Sequence, residues 1–240
     1  ILTGDMGTSY KSDLDVFDTF MGRLPKTLLL GGTALIFACL ISIPLGIYTA
    51  IHQNSWKDTA GMVFALFGVS MPNFWLGLMF ILLFSLNLGW LPSGGTGGIE
   101  YLIMPAATVG LSLAALLTRT TRSAMLDVIR QDYMTTAKAK GASRNRVIYQ
   151  HGLRNAMIPI VTAVGMQFSF VMTGSVLAET VFAWPGIGRL IFDAISKRDT
   201  PTVTGSIILC CVMMALINLA TDIVYAFCDP RIKAQYSNKR

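Results

Sequence analysis

Hydrophobic residues run along this chain in long blocks instead of alternating with polar ones. A membrane-crossing helix needs about 20 mostly apolar residues, and five stretches fit that requirement: 27–51, 59–91, 102–118, 158–178 and 203–228. The second is too long for one straight crossing and too short for two with a loop. Pro72 lies inside it, removes a backbone donor and breaks the helix. The pattern therefore predicts an interfacial or kinked first half over 60–71 that leads into a span over 74–90. Trp75 and Trp90 suit the two interfaces, where an indole is half dry and half hydrogen-bonded. The expected fold class is all-α, a polytopic transmembrane helix bundle. Residues 1–26 form a segment ahead of a span, 27–240 form the transmembrane domain, and 119–157 form its long loop.

Composition supports that class. Hydrophobic residues make up 53% of the 240 positions, charged residues 13%, and the mean hydropathy is +0.57. A soluble domain carries about 25% charged residues, so too little polar surface exists here to cover a water-soluble globule. The net charge of +6 could suggest nucleic acid, but the basic residues sit between apolar blocks and form no stripe. No nucleic-acid partner is expected.

Their distribution instead sets orientation, because short cytoplasmic loops are enriched in Lys and Arg. One alternating set of segments holds thirteen of the nineteen basic residues, and eight of those lie between Arg119 and Arg154. The opposite set, with Lys11, Arg23, Lys26, Arg189, Lys197 and Arg198, holds six. The first set is expected inside, with the C-terminus, and the N-terminus outside. Since the chain starts at Ile1 with no signal peptide ahead of it, a further span upstream is expected, giving an even total.

Within the expected spans only Asp222 is ionisable, which argues against a proton-coupled carrier. Asn73, Gln167, Ser169 and Thr173 are candidates for a translocation path. Hydrogen bonding between helices is their simpler role. His52 and His151 lie far apart with no nucleophile or metal-ligand spacing nearby, so no catalytic residue and no metal site is assigned. The glycine-rich run from Ser93 to Gly98 lacks the Lys-Ser/Thr ending of a phosphate loop and reads as a turn. Cys39, Cys210, Cys211 and Cys228 read as small buried hydrophobes.

The loop over 119–157 is far longer than the roughly 2–8 residues usual between helices. Met125, Leu126, Ile129, Tyr133, Met134 and Ala137 recur at three- and four-residue steps, which predicts an amphipathic helix. Gly141 suits its C-terminal stop, and Ser143 suits the cap of a second helix through Val147, Ile148, His151 and Leu153. Such a helix–Gly–helix, apolar on one side and basic on the other, suits an anionic lipid surface or a partner's groove equally well.

Thr135–Thr136–Ala137 followed by three residues and Gly141 resembles the Glu-Ala-Ala, three residues, Gly core of the EAA loop in ABC-importer permeases. The family's Ile-x-Leu-Pro becomes His151–Gly152–Leu153–Arg154, followed by Asn155. The run from Asp132 and Tyr133 to Gly141, and the run from His151 to Pro159, resemble the dipeptide, oligopeptide, nickel and glutathione branch. That branch shares the departures Thr135 for Glu and Arg154 for Pro. Gly4 to Ser9, Arg23–Leu24–Pro25, Ser70 to Trp75, Glu179 to Gly188, Arg198–Asp199 and Asp229 to Ile232 match the branch's other motifs in order and spacing.

The resemblance implies a type I importer permease with its first span absent here, in a bacterial inner membrane. By the same resemblance, Asp132, Tyr133, Thr135, Thr136, Ala137, Lys138, Gly141, Leu153, Arg154 and Asn155 couple the chain to an ATPase. Trp184, Pro185, Gly186, Gly188, Arg198 and Asp199 form an outer gate or binding-protein contact. Implied partners are a second homologous permease, two cytoplasmic ATPase subunits that bind ATP and Mg, a periplasmic or lipid-anchored binding protein, and membrane lipid. No cofactor is expected in this chain. The short segment 91–101 leans the cargo toward glutathione, an oligopeptide or a nickel complex. An ATP-independent carrier or channel is the competing expectation.

Overall fold

A computed structural model describes residues 6–228, with backbone alone described at 172–174, 222 and 224–228. The motifs at Gly4–Asp5 and Asp229–Ile232, and the basic residues Arg231, Lys233, Lys239 and Arg240, lie outside the described residues. Helix α1 covers Val16–Ile51, α2 Trp56–Ser70, and α3 Asn73–Phe80, which continues as a π-helical stretch over Ile81–Asn87. Helix α4 covers Glu100–Ile129 and α5 Asp132–Ala139; a second π-helical stretch, Arg146–Leu153, leads into α6, Arg154–Gly174. Helices α7 (Val176–Val181), α8 (Ile187–Ser196) and α9 (Thr200–Cys228) complete the order. Thr8 and Asp15 form an isolated antiparallel bridge ahead of α1.

Three of the described helices are long and apolar enough to cross a membrane: Val16–Ile51, Glu100–Ile129 and Thr200–Thr221. The pair Trp56–Ser70 and Asn73–Asn87 makes a fourth if counted as one broken span. The remaining expected block, 158–178, is helical for most of its length as the 21-residue α6, Arg154–Gly174, and continues into α7. The break falls at Pro72, which is extended (φ −60°, ψ 132°) and directly precedes α3. Helix α1 begins at Val16, well ahead of the apolar block, because the Asp15 carboxylate accepts the N–H groups of Phe17 (2.8 Å) and Asp18 (3.1 Å). Those donors would otherwise be unpaired at a helix start.

The chain divides into two compact units. The first comprises Ile1–Phe37, Met71–Gly110 and Phe168–Ile217; the second comprises Ala38–Ser70, Leu111–Gln167 and Asn218–Arg240. In the first, Phe20, Ile187 and Leu209 form a core flanked by Met6, Met21, Leu24 and Ile191. Cys39 and Cys210 are half-buried free thiols, whereas Cys211 is exposed, so the expectation of buried cysteines is corrected there.

The second unit is built on close helix contact. A Cβ at Gly46 of α1 would sit 2.6 Å from Thr121 Cβ and 2.9 Å from the Thr118 carbonyl of α4, so only glycine allows this approach. Ile47, Met125, Leu126, Ile148, Ala156 and Ile160 close the core around it. A two-pronged ion pair joins α2 to α4: Arg122 Nε and Nη2 donate to the two Asp58 carboxylate oxygens, each at 2.7 Å. Asp58 is buried and also accepts the Asn54 N–H at 3.1 Å. Removing one partner of a buried pair costs about 3–5 kcal/mol. Because the Arg122 side chain keeps 23% exposure, the lower end applies. Asp58→Asn and Arg122→Ala are each expected to lower the thermal midpoint of the purified protein by several degrees, and their double variant by less than the sum. A strictly additive double variant would remove the pair from this account.

Candidate functional site

Helix α5 opens with Asp132 in its first turn and carries Lys138 in its last, which complements the helix dipole at both ends. It ends in a closed turn. The Ala142 N–H donates to the Ala137 carbonyl (3.2 Å) and the Gly141 N–H to the Lys138 carbonyl (3.0 Å), the Schellman pairing. Gly141 sits at φ +82°, a conformation that side-chain-bearing residues reach only with strain. The glycine stop read from the sequence is therefore present, but the expected single helix is split: Met125, Leu126 and Ile129 belong to the end of α4, and the chain breaks at Arg130–Gln131 before α5.

Two contacts fasten α5 to the helical segment that leads into α6. Met134 is 2% exposed and packs over Gly152, where a Cβ would stand 3.3 Å from the Met134 methyl and 3.5 Å from that of Met125. The Asn155 amide donates to the Tyr133 hydroxyl and to the His151 carbonyl, both at 3.0 Å. The second helix of the loop starts at Arg144, right after Ser143, as expected. It differs in running without a break through its π-helical stretch into α6. Leu153 packs on the unit's core, and Arg154 and Asn155 are exposed. So Tyr133 and Asn155 are brought together and Leu153 faces the core, while Asp132, Thr135, Thr136 and Lys138 face outward and Ala137 is half-buried.

Two cavities flank α5. One, about 490 Å³, has apolar walls from Ile51, Ile129, Met134, Val147 and Ile148, with Lys138 and Arg144 also on its lining. The other, about 510 Å³, is lined by Tyr133, Thr136, Lys140, Arg146 and His151.

In the first unit the organising group is Glu179, which is 0% exposed. Its carboxyl accepts the hydroxyls of Thr27 (2.8 Å) and Ser175 (3.0 Å) and the Arg189 N–H (3.0 Å). Thr27 in turn accepts the Ile187 N–H at 2.8 Å. One carboxyl thus ties α1, α7 and the start of α8 together. Gly186 and Gly188 lie directly against it, where a Cβ would collide. Trp184 is 3% exposed and donates its indole N–H to the Lys26 carbonyl at 3.0 Å. Pro185 is half-buried.

Asp199 is 4% exposed. It accepts the Ser9 hydroxyl, the Thr202 hydroxyl (2.8 Å) and the Tyr10 N–H (3.0 Å). Burial raises its carboxyl pKa, but these three donors outweigh burial and hold it below the usual carboxylate range. Trp184 and Asp199 are therefore buried side chains that fasten segments of the first unit to one another. Arg198 is exposed and stands at φ +56°.

Among the path candidates, Ser169 is buried and Asn73 and Gln167 are half-buried. Gln167 belongs to the second unit and the other two to the first; the Thr173 side chain lies outside the described residues. The sequence marks Ser9, Gly152 and Glu179 only as members of family-like motifs and gives none of them, nor Thr27 or Asp58, an individual role. A lone carboxylate at the edge of an apolar block, as at Glu179, was the signal available for one of them.

Comparisons with known proteins agree with this architecture. Residues 42–234 match the family described as the binding-protein-dependent transport system inner membrane component. The glutathione transport system permease protein GsiC of Salmonella typhimurium is 43% identical over 233 residues, covering 97% of this chain and 76% of the relative. The protein of the same name from Escherichia coli K12 is 43% identical over 230 residues, covering 96% and 75%. In fold, the chain is similar to an inward-facing structure of the MetNI methionine ABC transporter, with a TM-score of 0.76 at 18% identity, covering 88% of this chain and 96% of that one. A crystal structure of an amino acid ABC transporter with histidines gives 0.66 at 13% identity, covering 87% and 94%.

The geometry makes two outcomes measurable. A cysteine replacing Met134 should label slowly with a water-soluble maleimide, and several-fold faster once Gly152→Leu pushes α5 off its seat; equal rates would show that Met134 is not seated there. Because the folded pKa of Asp199 is depressed, its stabilisation is complete above the unfolded value of about 3.9 and is lost as pH falls through the lower folded value. Asp199→Asn should lower the thermal midpoint at pH 7, and the gap to wild type should narrow below about pH 4. A gap that widens on acidification would reverse the sign.

Proposed function

We infer, from the premise that this chain belongs to the family of binding-protein-dependent transport system inner membrane components, that α5 is the lever through which ATP hydrolysis elsewhere moves the chain. The chain is a multi-pass inner-membrane permease subunit of an ABC importer and is not an enzyme; the ATPase is a separate subunit. The observation that carries the lever reading is the division of labour on α5. Thr135 and Thr136 are exposed, while Met134 and Tyr133 fasten the helix to Gly152 and Asn155.

Two cytoplasmic ATPase subunits, holding ATP and Mg, receive the exposed face of α5. Their closure shifts the helix, and the Met134 seat and the Tyr133–Asn155 bond pass that shift to α6, which continues from the same loop without a hinge. The loop that carries α5 faces the cytoplasm together with the C-terminus, a reading that the thirteen-to-six split of basic residues supports. A second homologous permease completes the pathway. A substrate-binding protein delivers the cargo, with exposed Arg198 as its contact residue and Trp184, Gly186, Gly188 and Asp199 keeping that loop in shape. The identity to permeases named for glutathione over nearly the whole chain supports glutathione or a similar short peptide as cargo.

The test is uptake of radiolabelled glutathione by proteoliposomes that hold the chain with its ATPases, second permease and binding protein. Pro cannot adopt φ +82° and cannot donate to Lys138, so Gly141→Pro should cut ATP-driven uptake by roughly tenfold or more. Undiminished uptake in that variant, or uptake without any ATPase subunit, would overturn the lever reading.

A further inference from the structure

The two cavities beside α5 differ in chemistry, and the difference assigns two neighbouring lysines to different ligands. On one side Tyr133, Thr136, Lys140, Arg146 and His151 make a polar recess suited to another protein's side chains. On the other, the cavity of about 490 Å³ is apolar throughout its walls except where Lys138 and Arg144 line it. Its volume lies within the roughly 300–1,000 Å³ of ordinary small-ligand sites.

This second cavity lies at the end of an apolar helix. Its wall includes Ile51, the last residue of the apolar helix α1. Tyr48, one turn earlier, Trp56 at the start of α2, and Tyr149 beside Ile148 are all exposed, as aromatic side chains at the headgroup level are. An apolar recess opening at that level, with two cations on its lining, matches an amphiphile that has an acidic head and a hydrocarbon tail. An acidic protein segment would leave the apolar walls unmatched, and an uncharged lipid would leave both cations without a counter-charge.

We propose that this cavity is a binding site for one anionic phospholipid, with an acyl chain against Ile51, Ile129, Met134 and Val147 and the phosphate held by Lys138 and Arg144. The site shares α5 with the lever reading but does not depend on it, since lipid occupancy is read without transport.

The experiment uses the assembled complex, stripped of lipid in detergent and titrated with phosphatidylglycerol or phosphatidylcholine while native mass spectrometry counts retained lipids. Basic residues near the surface each favour an acidic headgroup. Wild type should therefore retain one phosphatidylglycerol with roughly tenfold or greater preference over phosphatidylcholine. Lys138→Gln with Arg144→Gln should abolish the preference, Lys140→Gln with Arg146→Gln should keep it, and millimolar inorganic phosphate should not displace the lipid. Equal retention of the two lipids by wild type overturns the proposal and needs no variant to show it. So does loss of the ATPase subunits, with lipid retention unchanged, in the Lys138 and Arg144 variant, because that outcome assigns the cavity to protein.

Discussion

A backbone N–H or C=O without a partner costs several kcal/mol in hydrocarbon, and the local structure of this chain obeys that constraint. Helices α5, α7 and α8 all end in the same closed pair of bonds. Ala142, Trp184 and Asp199 donate five residues back, to Ala137, Glu179 and Ala194. The residues just before them, Gly141, Ala183 and Arg198, take positive φ. Two of the three are not glycine, at a cost of about 1–2 kcal/mol each, less than leaving the last carbonyls bare. Thr108, Thr118 and Thr162 likewise donate to the carbonyl four residues earlier in their own helices, whereas Ser42, Thr121 and Ser206 are buried hydroxyls left without a partner among the described residues.

The same low dielectric concentrates the buried charge into a few saturated groups. In the first unit Glu179 and Asp199 each collect three donors. In the second, Asp58 meets Arg122 through two bonds and takes a backbone donor as well. Each group joins segments far apart in the chain and so serves as a rivet where apolar packing alone would let helices slide. The glycines around them, Gly186 beside Glu179 and Gly46 beside Thr121, make the room such joints need.

Around α5 packing and polarity divide into separate tasks. Met134 and Tyr133 hold the helix to the start of α6, its exposed threonines remain available, and its two lysines line cavities of opposite character. A helix of eight residues is too short to be stable alone. Its rigidity comes from the Gly141 turn and the Met134 seat, which make it able to transmit a push.

What the sequence determined by itself was everything carried by local pattern. The apolar blocks marked the helices, Pro72 the interruption, Gly141 the stop of α5, and the spacing from Thr135 to Gly141 the family. These signals are short-range: a hydrophobic run, a missing donor or a required φ is legible within a few residues. Only the tertiary structure decided the partners of Ser9, Thr27 and Asp58, which lie 190, 152 and 64 residues from Asp199, Glu179 and Arg122. It likewise turned Trp184 and Asp199 from surface candidates into internal fasteners, and it separated Lys138 from Lys140. A charge or an indole reads the same in sequence whether it faces a partner or a neighbour. Burial is what distinguishes the two, and burial is set by residues that no local window contains.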